Sequence, residues 1–133
     1  MKIMTKREMK YSTNTHTVVL YMSNIEDYNY YIISYGTHPC CYVELPKEHK
    51  LYGMTYNEIE EKYDINVHGG FTYSRPDLLI KDDSWFLGWD YAHCWDYSPY
   101  LEDLDLKKWT TDELIGECCD VIAQLVKINQ KED

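Results

Sequence analysis

The sequence predicts an α+β fold, with an antiparallel sheet of about five strands, a long C-terminal helix packed on one face and a short helix near 55–63. Three observations predict it. β-branched and aromatic runs recur between short turn signals through the first half of the chain. Capping boxes open at Thr55 and at Thr110. An apolar stripe at helical spacing then runs from Leu114 to Ile128 and needs a sheet to bury against.

A chain of 133 residues is the natural size of a single domain spanning 1–133. Residues 1–15 are polar and without period, and read as a frayed end. His16–Met22 (HTVVLYM) reads as the first strand, Ser23–Asp27 as a turn and Tyr28–Tyr35 (YNYYIISY) as the second strand. After the turn Gly36–Pro39, Cys40–Leu45 (CCYVEL) gives a third strand, and the short connections suggest a meander. Met54–Tyr63 switches to helical spacing: Thr55 and Glu58 form the box, and Met54 and Ile59 the hydrophobic staple. Val67–Tyr73 resumes strand character, weakened where Gly69-Gly70 calls for a bulge or a close backbone approach. Arg75–Asp83 is a polar loop and Ser84–Asp90 (SWFLGWD) a fifth strand. In the last helix Thr110 pairs with Glu113, Trp109 with Leu114, and Cys118, Val121, Leu125 and Ile128 complete the stripe.

Composition excludes several function classes. Residues 1–76 carry nine acids and eight bases, a net −1, whereas residues 77–133 carry fourteen acids and five bases, a net −9. With Arg7 and Arg75 the only arginines and no basic stripe, direct nucleic-acid binding is not expected. An acidic face either keeps the protein soluble or docks on a basic protein groove. No apolar stretch is long enough for a membrane span, and the basic N-terminus lacks the apolar core of a secretory signal. The five cysteines, two pairs of them vicinal and none in a C-x-x-C arrangement, read as reduced thiols in a cytoplasmic setting.

Chemistry-bearing side chains concentrate between Val67 and Asp96 (VHGGFTYSRPDLLIKDDSWFLGWDYAHCWD). Asp90, His93 and Asp96 are three apart, and can converge only if the strand breaks near Tyr91. With His68 they would form a ligand set for a divalent metal, the only cofactor the sequence suggests, or an aspartate would orient a histidine for acid–base work. A third use involves no turnover. Gly69-Gly70 would admit a ligand to the backbone, Tyr73, Trp85, Trp89 and Trp95 would offer ring faces, and Arg75 would meet a phosphate or carboxylate. A purely structural Asp–His pair is the bland counterpart. Among other candidates, His16, His38 and His49 read as surface residues, and Cys118 as a core residue on the helix stripe. Cys94 is the one thiol placed for reactivity.

At these residues the chain resembles an uncharacterised family of small phage and prophage proteins. VHGGFTY and the later GWDYAHCWD are similar to its V-H-G-G-(L/I)-T-(Y/F) and W-x-x-G-F-D-x-x-H-x-G-D segments. YVELPKEHKLYG and GECCDVIAQL resemble its Y-V-x-V-P-x-G-H-P-L-(Y/H)-G and closing A-E-C-x-x-L-A-x-Q-L segments, so that the likeness covers roughly residues 35–128. The matching positions are His49, Gly53, His68, Gly69, Gly70, Thr72, Gly88, Asp90, His93 and Asp96, which gives His49 a weight its polar neighbours do not. The chain departs at Trp89, where phenylalanine is usual, and at Trp95, where the pattern has glycine. The resemblance implies a gene of phage or mobile elements acting inside a bacterial cell.

The leading expectation is therefore an accessory protein that acts by binding, as an inhibitor of a host defence system. Its partner would be a host protein met through the acidic residues, or a small nucleotide-like ligand. The alternatives are a metal-dependent hydrolase built on His68, Asp90, His93 and Asp96, and a structural phage component whose tyrosine-rich strands pair between subunits.

Overall fold

The computed structural model of the protein describes residues 17–36, 38–92, 96 and 107–131. Five strands, β1 (Val18–Ile25), β2 (Tyr28–Ser34), β3 (Pro39–Glu44), β4 (Tyr73–Arg75) and β5 (Phe86–Asp90), form one antiparallel sheet in the order β1-β2-β3-β5-β4. Two helices, α1 (Tyr56–Lys62) and α2 (Thr111–Gln130), complete the described elements, which gives the α+β arrangement that the sequence predicts. None of the described helices is long and apolar enough to cross a membrane.

The meander of β1 to β3 is tighter than its sequence suggests. β1 continues to Ile25, and the turn to β2 is only Glu26-Asp27, with φ of 49° and 72°. Two adjacent residues at positive φ match the twist of a two-residue hairpin. The larger displacement is at β4. Gly69 and Gly70 take φ of 68° and 81°, and the Gly70 amide bonds back to the Val67 carbonyl at 3.0 Å. The strand expected at Val67–Tyr73 is therefore a turn over most of its length, and β4 starts only at Tyr73.

Both capping boxes are present: the Thr55 and Thr110 side chains accept from the Glu58 and Glu113 amides, and those glutamates accept from the threonine amides in return. From α2, Leu114, Cys118, Val121, Ile122 and Leu125 are buried against Tyr30, Ile32, Cys41, Val43, Leu87 and Trp89 of the sheet. Each large apolar side chain so buried contributes about 2 kcal/mol.

The opposite sheet face is not wet. Val19, Tyr31, Ile33, Cys40, Tyr42 and Phe86 form a second core with Leu78, against which Ile80 also packs. The segment expected to be a polar loop thus supplies apolar cover. It is pinned by paired backbone hydrogen bonds between Leu78 and Lys81. Lys81 of this segment and Ser84 just after it hold the buried Glu44 carboxylate of β3, through Lys81 Nζ at 2.8 Å and Ser84 Oγ at 2.6 Å, with Tyr31 and Asn29 donating as well. Burial alone would raise the Glu44 carboxyl, but the Lys81 ammonium and these donors together hold it below the ordinary carboxylate value.

Gly88 shows how closely this second core is packed. A Cβ there would lie 2.6 Å from Tyr42 Cδ1 and 3.0 Å from Tyr73 Cβ, whereas one on the exposed Gly116 of α2 would meet nothing within 4 Å. Gly88→Ala should cost about 2 kcal/mol by overpacking. Gly116→Ala should gain about 1 kcal/mol from helix propensity. Urea midpoints at unchanged m-value would read both shifts.

Candidate functional site

Three segments of the chain meet around the His68 ring, which also contacts Asp96. His68 sits in the Val67–Gly70 turn before β4, Tyr91 follows the end of β5, and Trp109 immediately precedes the cap of α2. His68 Nε2 lies 2.8 Å from Asp96 Oδ2, and Trp109 Nε1 donates to Asp96 Oδ1 at 3.0 Å. A carboxylate only accepts, so His68 donates through Nε2 and the ring tautomer is set. The imidazole stacks on Tyr91, with centroids 4.5 Å apart and planes 14° apart, and meets Trp109 edge-on at 5.1 Å. Tyr91 is buried and tilts against Trp109 at 5.0 Å, while its hydroxyl accepts from Trp89 Nε1 at 3.0 Å. Lys107 Nζ lies 4.7 Å from the Trp109 ring centre and pairs with Glu113.

An aspartate holding a histidine in one tautomer is the form that acid–base catalysis uses. Here the same carboxylate also holds an indole, and aromatic rings cover the imidazole. The arrangement therefore ties the 68 turn, residue 96 and the entry to α2 together.

The expected four-residue cluster is brought together only in part. His68 and Asp96 meet. Asp90 alternates with Trp89 and Tyr91 along the strand and falls on the other sheet face, where Thr72 Oγ1 donates to it at 3.4 Å and the Ala92 amide at 3.2 Å. Among the described residues no group of three histidine, cysteine or acidic side chains is arranged to hold a metal. The expectations for residues 1–16, for His93, Cys94 and Trp95 and for the loop at 97–99 lie outside the described residues.

The stacking residues also separate. Trp89 is sealed in the core, and Trp85 is half-buried beside Tyr52 with its Nε1 on the Met54 carbonyl. Tyr73 packs edge-on against Tyr42 and donates to the Asp77 carbonyl, while the exposed Arg75 pairs with Asp77 at 3.2 Å. Tyr73 and Arg75 line a groove of about 570 Å³ beside the start of α1, on the sheet's β4 edge. Gly70 is close under Glu60, where an added Cβ would be 3.3 Å from its carboxylate.

Tyr91 and Trp109 instead face a different cavity, of about 310 Å³, between α2 and the ends of β1 to β3. Its described wall includes Leu20, Ser34, His38, Lys107, Lys108 and Thr111. Sequence reasoning missed this wall because its parts are contributed by segments nearly ninety residues apart. It also placed His49 on the surface. The ring is buried instead, with Nδ1 accepting from the Leu51 amide and Nε2 at 3.0 Å from the Leu125 carbonyl of α2. Charged neighbours in sequence say nothing of a docking partner in a distant helix.

The described fold and site are those of a small α+β protein with an aromatic-walled cavity beside a half-buried His–Asp–Trp tie. Comparison with protein-family models, with curated proteins and with solved structures finds no match.

Proposed function

We propose that this protein acts by binding a small molecule without turnover, as an accessory protein of a phage or mobile element inside a bacterial cell. The observation that carries the reading is the shared wall: Tyr91 and Trp109 line the 310 Å³ cavity on one side and clamp the His68–Asp96 pair on the other. The polar pair thereby serves to fix the rings of a cavity at the lower end of the size range of ligand pockets. A hydrolytic use of the same residues gains nothing from Asp90, whose hydrogen bonds lie on the other sheet face. The phage setting follows from the resemblance of the His68–Tyr73 and Gly88–Asp96 segments, and a host defence pathway that uses a small signal would supply the ligand.

The test is native mass spectrometry of protein purified from bacterial lysate, with Leu20→Trp as the variant that fills the cavity. A small molecule retained by the native chain and lost from a folded Leu20→Trp is the expected result. Equal retention by both, or a host protein retained with no small molecule, would sink the reading.

A further inference from the structure

The two edges of the sheet are built differently. β4 is three residues long and ends at the charged Arg75, with Pro76 next, a short and interrupted form that discourages another strand from pairing. β1 runs for eight residues (VVLYMSNI) and holds neither a charged residue nor a proline. Among the described residues no strand lies on its outer side. Tyr21 and Met22, at its middle, are the large hydrophobic side chains that the described residues leave exposed, at 39% and 53%.

The hairpin fixes which backbone groups of β1 point outward. A two-residue turn is closed by a hydrogen-bonded pair, here Ile25 and Tyr28, and such pairs alternate along an antiparallel ladder. Ser23 with Tyr30 and Tyr21 with Ile32 are therefore bonded inward. That leaves the N–H and C=O groups of Met22 and Asn24 on the outer edge. The irregularity between Val19 and Tyr21 lies beyond this stretch, toward the start of the strand.

We infer that β1 is the interface of a homodimer, in which a second copy of this chain adds its own β1 antiparallel about a twofold axis at Met22. Met22 exchanges both backbone hydrogen bonds with Met22 of the partner subunit, and the two sheets become one. Directly opposed residues share a face, so Tyr21, which packs on Tyr30 over the α2 core, faces Ser23 of the partner subunit. Each copy has one such edge, so the pairing closes at two chains and leaves no β1 edge for a third.

Charge selects a second copy as the occupant. Two chains of net charge −10 repel as wholes, but β1 against β1 sets no like charges opposite each other. Antiparallel pairing also carries the acidic hairpin tip, Glu26-Asp27, to the end of the partner's β1 that residues 1–16 precede. That segment carries Lys2, Lys6, Arg7 and Lys10 against Glu8 alone. Within one chain the tip and the basic segment belong to opposite ends of β1, whereas between copies they fall at the same end.

Sedimentation equilibrium of the full chain from about 1 to 500 μM tests this, because a single strand pair is a small interface and should dissociate at about 10–100 μM. Met22→Lys and Met22→Glu alter an exposed side chain, and circular dichroism would verify that each variant folds. Each alone should be monomeric over that range, since like charges face each other across the axis. An equimolar mixture should recover the dimer, since the introduced charges are then opposite. A native chain that stays monomeric throughout would overturn the assignment, whatever the variants do. So would a variant that dimerises as the native chain does, or a mixture that associates no better than its parts. Species larger than two chains would overturn the closed twofold pairing, and a monomer that takes up a strand of a host protein would give this edge to a foreign partner instead.

Discussion

Asp96→Ala should destabilise the protein by about 3 kcal/mol, because one carboxylate closes a hydrogen-bonded tie between three segments. Asp96 is 5% exposed, with one oxygen on His68 and the other on Trp109. Its removal strands an indole N–H and an imidazole N–H. Stranding the partner of a charged hydrogen bond costs more than the net worth of the bond when it is intact. The His68 side chain retains 23% exposure, so water can reach it, which keeps the expected loss at the lower end for buried pairs. Asp96→Asn preserves the volume and one acceptor and should cost about half as much.

This measurement also separates binding from catalysis. A carboxylate kept for chemistry is commonly held at some cost to stability, so its removal leaves the fold unchanged or firmer. A carboxylate that shapes a cavity wall is lost at the expense of the fold. A denaturant midpoint for Asp96→Ala equal to that of the native chain would therefore end the account of Asp96 as a tie and return attention to hydrolysis.

What the sequence made legible were features with local causes. Thr55 and Thr110 announce their helices because a capping box closes within four residues, and the α2 stripe is legible because its period is fixed by the helix itself. The sheet could be read as antiparallel because its turns are short. The second core could not be read as easily, although YYIIS and CCYV are continuous apolar runs of the kind that bury both faces. Spacing alone also left open which sheet face Asp90 takes. Asp90 remains on the strand, and the strand's alternation sends it away from Tyr91 and the His68 tie. Trp109 was legible as a hydrophobic staple but not as a partner of Asp96, since nothing local specifies that bond.

His49 is the sharpest case of a long-range fact hidden by local sequence, and it predicts a pH dependence. Its Nδ1 accepts from the Leu51 amide, so the neutral ring must carry its hydrogen on Nε2, where it donates to Leu125, 76 residues away. Both nitrogens are thus satisfied only in the neutral ring, because a proton on Nδ1 would confront the Leu51 N–H. Burial, with Lys50 adding to it, holds the His49 pKa below the ordinary histidine value, against the opposing pull of the Leu125 carbonyl. The sign follows. Between its folded value and about 6.5 the unfolded chain binds a proton that the native ring does not, so stability falls as pH falls, by up to about 1.4 kcal/mol per unit. Glu44 acts lower: its depressed carboxyl contributes stability above the ordinary carboxylate value and loses it as pH falls through the folded one. His49→Ala should cost about 3 kcal/mol near neutral pH, from an emptied ring site and an orphaned amide. That difference from the native chain should shrink as pH falls from about 6.5 toward about 5, since only the native chain has this ring to protonate on unfolding. Paired urea titrations isolate His49 from every other titrating group. A difference that stays constant across that range would show that the folded ring takes its proton as readily as the unfolded one, and the neutral tautomer would have to be given up.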